Sequence, residues 1–306
     1  MSWTPLAKPG KAGHVRSEFQ LVDTCVTEPS RKVSCVPYSY TVILVLSSIL
    51  VVANIILSAK SGRDWTVNEL RAFNIQLKTI DAATFFGQAL LPVPQVSHVV
   101  LSNEKRPTGV LNKTDRLFFR HMQDARNGEE SLVNDFAAFI LCMFGYDDPD
   151  GVIHQRKELS FIMRGSLVEA KPNVCVMSES GYLLLVQEDK RGTHRTNAEP
   201  QLIAEAIAVF YQNNLRRDWT GQTQLVSQTI PGIIMVGVVP TFYLITVTAD
   251  LLTSVISGSY PSEATIVKRC IPPVLNLNSY PEEGIVPLAN RVIVMQCFQA
   301  FKAFVG

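Results

Sequence analysis

Between Lys157 and Phe210 the chain reads KELSFIMRG, SLVEAKPNVCVM and YLLLVQEDKR, three apolar runs of strand length, and then NAEPQLIAEAIAVF, a run of helical period. Successive strands feeding a helix commit this part of the chain to an α/β layered architecture. Upstream, EESLVNDFAAFILCMFG sets Leu132, Phe136, Phe139, Ile140 and Met143 on one stripe. Acidic residues fall in its first turn, where the helix dipole favours them, and Gly145 stands near its stop, so a helix is expected there. Downstream, IPGIIMVGVVPTFYLITVT predicts a strand, a Pro-marked turn and a second strand, followed by a helix over ADLLTSVISGSY. The expected order over residues 128–250 is therefore helix, three strands, helix, strand.

The remainder divides by composition. Residues 1–36 mix Pro, Gly, Ser and dispersed charge without a period and are expected to form a flexible tail. No charged residue lies between Lys32 and Lys60, and Val42 to Leu57 reads VILVLSSILVVANIIL. Residues 37–59 are thus a candidate single-pass transmembrane helix, flanked by Tyr38 and Tyr40 on one side and Lys60 and Arg63 on the other. A buried strand or core helix is the competing reading, because β-branched residues dominate the run. The sequon Asn112-Lys113-Thr114 would report the side of the membrane on which the downstream chain lies. Residues 60–127 are expected to be a helical and irregular extension, with a capped helix after Thr66 and another over KTDRLFFRHMQDAR. Residues 251–306, broken by Pro272, Pro273, Pro281 and Pro287, read as a covering segment that ends in a helix over NRVIVMQCFQAFKAF.

A formal net charge of +1 on 306 residues gives no global field for nucleic acid, so any phosphate-binding surface would be local. The six cysteines show no CxxC pair and read as buried free thiols rather than a zinc knuckle or disulfide framework. The five histidines lack ligand spacing, which argues against a transition-metal enzyme. The acidic run Asp147 to Gly151 lacks the later ligands of an EF-hand and reads as a turn.

Chemistry concentrates in YLLLVQEDKR. Strand alternation points Leu184, Val186, Glu188 and Lys190 one way and Leu185, Gln187 and Asp189 the other. A carboxylate and an ammonium at the polar end of a strand buried on both sides need pairing or coordination. Phosphodiester hydrolysis calls for a hard divalent cation held by carboxylates from several elements, and for a cation that orients the attacking water. Glu188 fits a ligand and Lys190 the water-positioning group. A second ligand is expected from the preceding strand, where Asn173 has the oxygen but not the charge.

This arrangement, with its proline, acid, spacer, acid, any residue, lysine signature, resembles the PD-(D/E)XK restriction-endonuclease-like superfamily. Segments such as RKELSF and EPQLIAEAIAVF are also similar to uncharacterised fungal proteins. The resemblance covers residues 128–250 and implies a restriction-endonuclease-like α/β core with Mg2+ as cofactor and nucleic acid as partner. Pro172 and Asn173 match the first half of the signature, Glu188 and Lys190 the second. Glu130 takes the place of the accessory acid on the first helix, and Gln201, with Glu205 one turn on, the polar position beside the site. The implied metal ligands are Glu188, Asn173 and Glu130, and the implied catalytic residues Glu188, Lys190 and Gln201. An amide at 173 removes one negative charge from such a site, so the expectation is a weak Mg-dependent phosphodiesterase or a pseudonuclease. The alternative is a single-pass membrane-anchored interaction protein without catalysis.

Overall fold

The structure, a computed structural model, describes residues 58–126, 129–179, 181–188 and 198–305, and Glu188 by its backbone alone. The expected tail 1–36 and all but the last two residues of the candidate span 37–59 lie outside the described residues, as does Lys190. Among the described residues no helix is long and apolar enough to cross a membrane.

The chain first forms α1 (Val67–Ala72) and β1 (Ile75–Thr79). Thr66 caps α1 as the sequence predicts: its side chain accepts from the Asn68 amide while Glu69 reaches back to the Thr66 amide, a closed capping box. Three helices follow, α2 (Ala82–Phe86), α3 (His98–Ser102) and α4 (Lys113–Ala125), and then α5 (Glu130–Met143). The buried stripe of α5 is Val133, Phe136, Ala137, Ile140 and Leu141. It is turned from the expected one, leaving Leu132, Phe139 and Met143 only partly covered.

The strands after α5 differ from the sequence reading, beginning with β2 (Val152–Gln155), which was not expected. It pairs with β5 (Val174–Ser178), which pairs with β6 (Gly181–Glu188), all antiparallel. The KELSFIM and SLVEA segments instead form β3 (Leu159–Met163) and β4 (Ser166–Ala170), a hairpin of its own. SLVEAKPNVCVM is therefore two strands on two sheets. Pro172 accounts for the break, since it lacks an amide donor and restrains the residue before it.

The long helix α6 (Ala198–Trp219) returns the chain to β7 (Ser227–Val236), parallel to β6, and β8 (Val239–Thr248) follows antiparallel. The β7–β8 turn is at Gly237 and Val238, with Gly237 at φ +63°, rather than at a proline. Pro231, opposite Leu244 in the β7–β8 ladder, sits one residue before pairing with β6 begins at Gly232, and Pro240 is the second residue of β8. Then come α7 (Ala249–Ser257), β9 (Thr265–Cys270), α8 (Tyr280–Glu283) and α9 (Leu288–Phe301). The mixed seven-stranded sheet has the order β1-β9-β8-β7-β6-β5-β2. Strands from the 60–127 extension and from the 251–306 segment thus complete the sheet instead of only covering it.

Side chains alternate across this sheet into two cores. Val174, Val176, Leu184 and Val186 pack with α4, α5 and α9; Cys175, Tyr182 and Leu185 pack with α6, α7 and the β3–β4 hairpin. Helix α6 is covered on several sides, with thirteen residues buried. At the start of β6, before β7 is in reach, Asn213 stands in as a strand partner. Its Oδ1 accepts from the Tyr182 amide at 2.9 Å and its Nδ2 donates to the Tyr182 carbonyl at 3.2 Å. Gly181, at φ +139°, leaves the room this needs, since a Cβ there would lie 2.4 Å from Asn213 Oδ1.

Candidate functional site

The register of β5 and β6 decides which polar residues meet. Val174 pairs with Val186 and Cys175 with Leu185. Continued by one residue, the ladder sets Asn173 opposite Gln187 and Pro172 opposite Glu188. Residue 188 is in register with Met235 of β7, whose side chain belongs to the core beneath α5. Asn173, in a bend before β5, is 8% exposed, and its carbonyl accepts from the Arg156 amide at 2.9 Å. Its Nδ2 donates to Glu130 Oε1 at 3.5 Å, joining the end of β5 to the first turn of α5. Two of the predicted ligands are therefore neighbours, through an amide donor facing a carboxylate.

Gln201 and Glu205 lie on α6, against the other core. Gln201 Nε2 donates to Glu205 Oε1 at 3.0 Å, the i to i+4 pairing expected of one helical face. Glu205 is fully buried, and its Oε2 has no hydrogen-bond partner among the described residues. Burial pushes its carboxyl up to about 8, against the smaller downward pull of the Gln201 bond. Cys175 of β5 shares its surroundings: burial pushes the thiol up to about 12, the Lys157 ammonium draws it down, and Glu205 raises it further.

Of the three expected magnesium ligands, only Asn173 and Glu130 have described side chains. Asn173 turns its amide hydrogens toward Glu130, and among the described residues no group of three His, Cys, Asp or Glu side chains converges. One carboxylate beside an amide N–H offers a hard dication too little charge.

Among the described residues, the basic side chains of this part of the chain are spread over several elements. Lys171 is held between Glu158 and Glu169, each at 3.0 Å. Glu169 itself is on β4, in the separate hairpin. Arg216 and Arg217 occupy the last turns of α6, roughly 22 Å along the helix from Gln201 at 1.5 Å per residue. Arg217 Nε is spent on the Thr223 carbonyl at 2.7 Å. Among the aromatic residues of this part of the chain that could stack on bases, Tyr182 is buried and Tyr211 partly covered, while Trp219, 81% exposed, sits at that far end of α6. Arg191, His194 and Arg195 lie outside the described residues.

Gln187 and Cys175 were missed as members of the polar cluster. The signals were present: Gln187 alternates with Leu185, and Glu205 is the single charge between Glu199 and Arg216, within the apolar run LIAEAIAVF. No protein-family model matches the chain, and no curated protein matches it.

Proposed function

We propose that this chain carries a PD-(D/E)XK nuclease-like domain with a degenerate metal site, a pseudonuclease tethered to a membrane through residues 37–59. The observation that carries the reading is Asn173. It stands at the head of β5 beside Glu130, where the signature calls for a carboxylate, with β6 and its Glu188 as the neighbouring strand. With the β3–β4 hairpin inserted between β2 and β5, the order α5, β2, β5, β6, α6, β7, with β6 and β7 parallel, supports the core that the resemblance implies. The uncharged run between Lys32 and Lys60 supports the tether. Nucleic acid is the partner class in this reading, and affinity that survives the loss of catalysis would depend on salt.

The test is calorimetric titration of the full chain with Mg2+ and Mn2+, for wild type, Asn173→Asp and Asn173→Asp with Glu188→Ala. The expected result is no millimolar binding by wild type, binding by Asn173→Asp, and loss in the double variant. Failure of Asn173→Asp to bind would remove the basis for a degenerate metal site. Metal-dependent cleavage by wild type that disappears in Lys190→Ala would replace the pseudonuclease with an active enzyme.

A further inference from the structure

The side chain in this molecule least reconciled with its surroundings is Glu205. It sits in the second turn of α6, a helix packed on β6, β7 and the β3–β4 hairpin, at 0% exposure. One carboxyl oxygen takes the neutral amide of Gln201, and the other has no hydrogen-bond partner among the described residues. Those residues also offer it no salt bridge. The groups shown to act on it are the Cys175 thiol from β5 and the Gln201 amide from its own helix. The hairpin presents Leu159, Phe161, Met163 and Ala170, all apolar. Among the described residues the cation acting on Cys175 is Lys157, exposed on the connection between β2 and β3, and no hydrogen bond or salt bridge joins it to Glu205. An ionised carboxylate enclosed in this way, without a counter-charge, is far less stable than the same group in water.

We propose that Glu205 is a proton-operated latch: protonated, it lets α6 seat against β6 and β7, and loss of its proton favours a state in which α6 lifts away and the Asn173–Gln187 end of the sheet opens. The direction follows from linkage. An open carboxyl ionises near 4.5 and the closed one near 8. Between those values the closed state holds a proton that the open state has released, so opening becomes easier as pH rises through this window and levels off above it. The opening equilibrium should grow about tenfold per pH unit inside the window, which spans ordinary cellular pH. The inference does not depend on the nuclease-like reading, because its test follows α6 and requires no metal.

The experiment is hydrogen–deuterium exchange by mass spectrometry on the full chain from pH 5.5 to 7.5, corrected for the intrinsic pH dependence of exchange and read in peptides from α6 and β6. Wild type should show about a hundredfold rise in the open population over those two units, and Glu205→Gln, which cannot ionise, should be flat. A flat wild-type profile overturns the proposal, as does a Glu205→Gln profile with the wild-type slope. Should Glu205→Gln fail to fold, infrared spectroscopy of the native wild-type chain decides. A protonated-carboxyl band persisting at pH 6.5 sustains the latch, and its absence refutes it.

Discussion

Arg291 offers the sharpest test of how this fold is held together. It lies on α9 with no exposed surface, and its whole guanidinium is committed. Nε donates to the Ile285 carbonyl at 3.0 Å. Nη1 donates to Val100 at 2.9 Å and Asn103 at 2.5 Å, and Nη2 to Glu104 at 3.0 Å and Val286 at 2.9 Å. The group also stands 5.5 and 5.8 Å from the ring centroids of Phe118 and Phe119. Three of those carbonyls lie within or just beyond the end of α3, where a helix leaves its last carbonyls without amide partners and carries partial negative charge. One side chain thus ties α3, α4 and the segment before α9 together. Burial lowers its ionisation to about 10, so it remains charged at neutral pH.

Arg291→Lys keeps the charge but supplies three N–H donors in place of five, stranding at least two carbonyls. At about 1–3 kcal/mol for each buried acceptor left unmade, the loss should be about 2–6 kcal/mol. The lower end applies if Asn103 and Glu104, near the surface, turn to water, and the upper end if Val100 and Ile285, which are buried, lose their donors. Arg291→Met strands all five and should cost more than the lysine variant. The assay is urea unfolding followed by circular dichroism, with ΔΔG taken from midpoints at constant m-value. For a domain of this size about 4 kcal/mol lowers the melting temperature by roughly 10 °C. A loss below about 1 kcal/mol in Arg291→Lys, or a methionine variant as stable as wild type, would show that the guanidinium's desolvation cancels its bonds and would refute this account.

Two further outcomes follow from packing. Gly181→Ala should lose about 3 kcal/mol or more in urea unfolding, because its Cβ meets Asn213 Oδ1 at a φ of +139° and displaces the amide that pairs with Tyr182; a change under about 0.5 kcal/mol would mean that Asn213 is dispensable to β6. Among the four described cysteines, a maleimide at pH 8 should label exposed Cys142 in the native chain and leave Cys175, Cys270 and Cys297 unlabelled until unfolding. Burial pushes Cys175 and Cys270 up to about 12 and raises Cys297 further, so peptide mapping that found Cys175 labelled as fast as Cys142 would contradict the closed packing of α6.

Local signals were read correctly where local physics decides. The capped start of α1 after Thr66 and the presence of helices over α5 and α7 depend on residues within a few positions of one another, although the buried stripe of α5 is turned and α7 stops at Gly258, two residues before the expected end. The α/β class followed from the same short-range periods. Sequence also named Asn173, Glu130, Gln201 and Glu205, with the missing charge at Asn173, but not Gln187 or Cys175.

Partnership was decided by the tertiary structure. KELSFIM is as apolar as VIHQ is mixed, yet VIHQ joins the main sheet and KELSFIM folds into a hairpin over α6, a choice made by which long-range surface each strand can cover. Register likewise set Gln187 opposite Asn173, because a one-residue difference in pairing exchanges the two faces of a strand and no local preference fixes it. The same pairing divided the site between the two cores, leaving Glu130 with Asn173 beside α5 and Gln201 with Glu205 on α6. Sequence alone marks Glu205 as an acid in an apolar run. Its burial without a counter-charge, and with it the displaced ionisation, exists only once β6, β7 and the hairpin pack on α6, since desolvation is a property of the assembled interior rather than of any short stretch of chain.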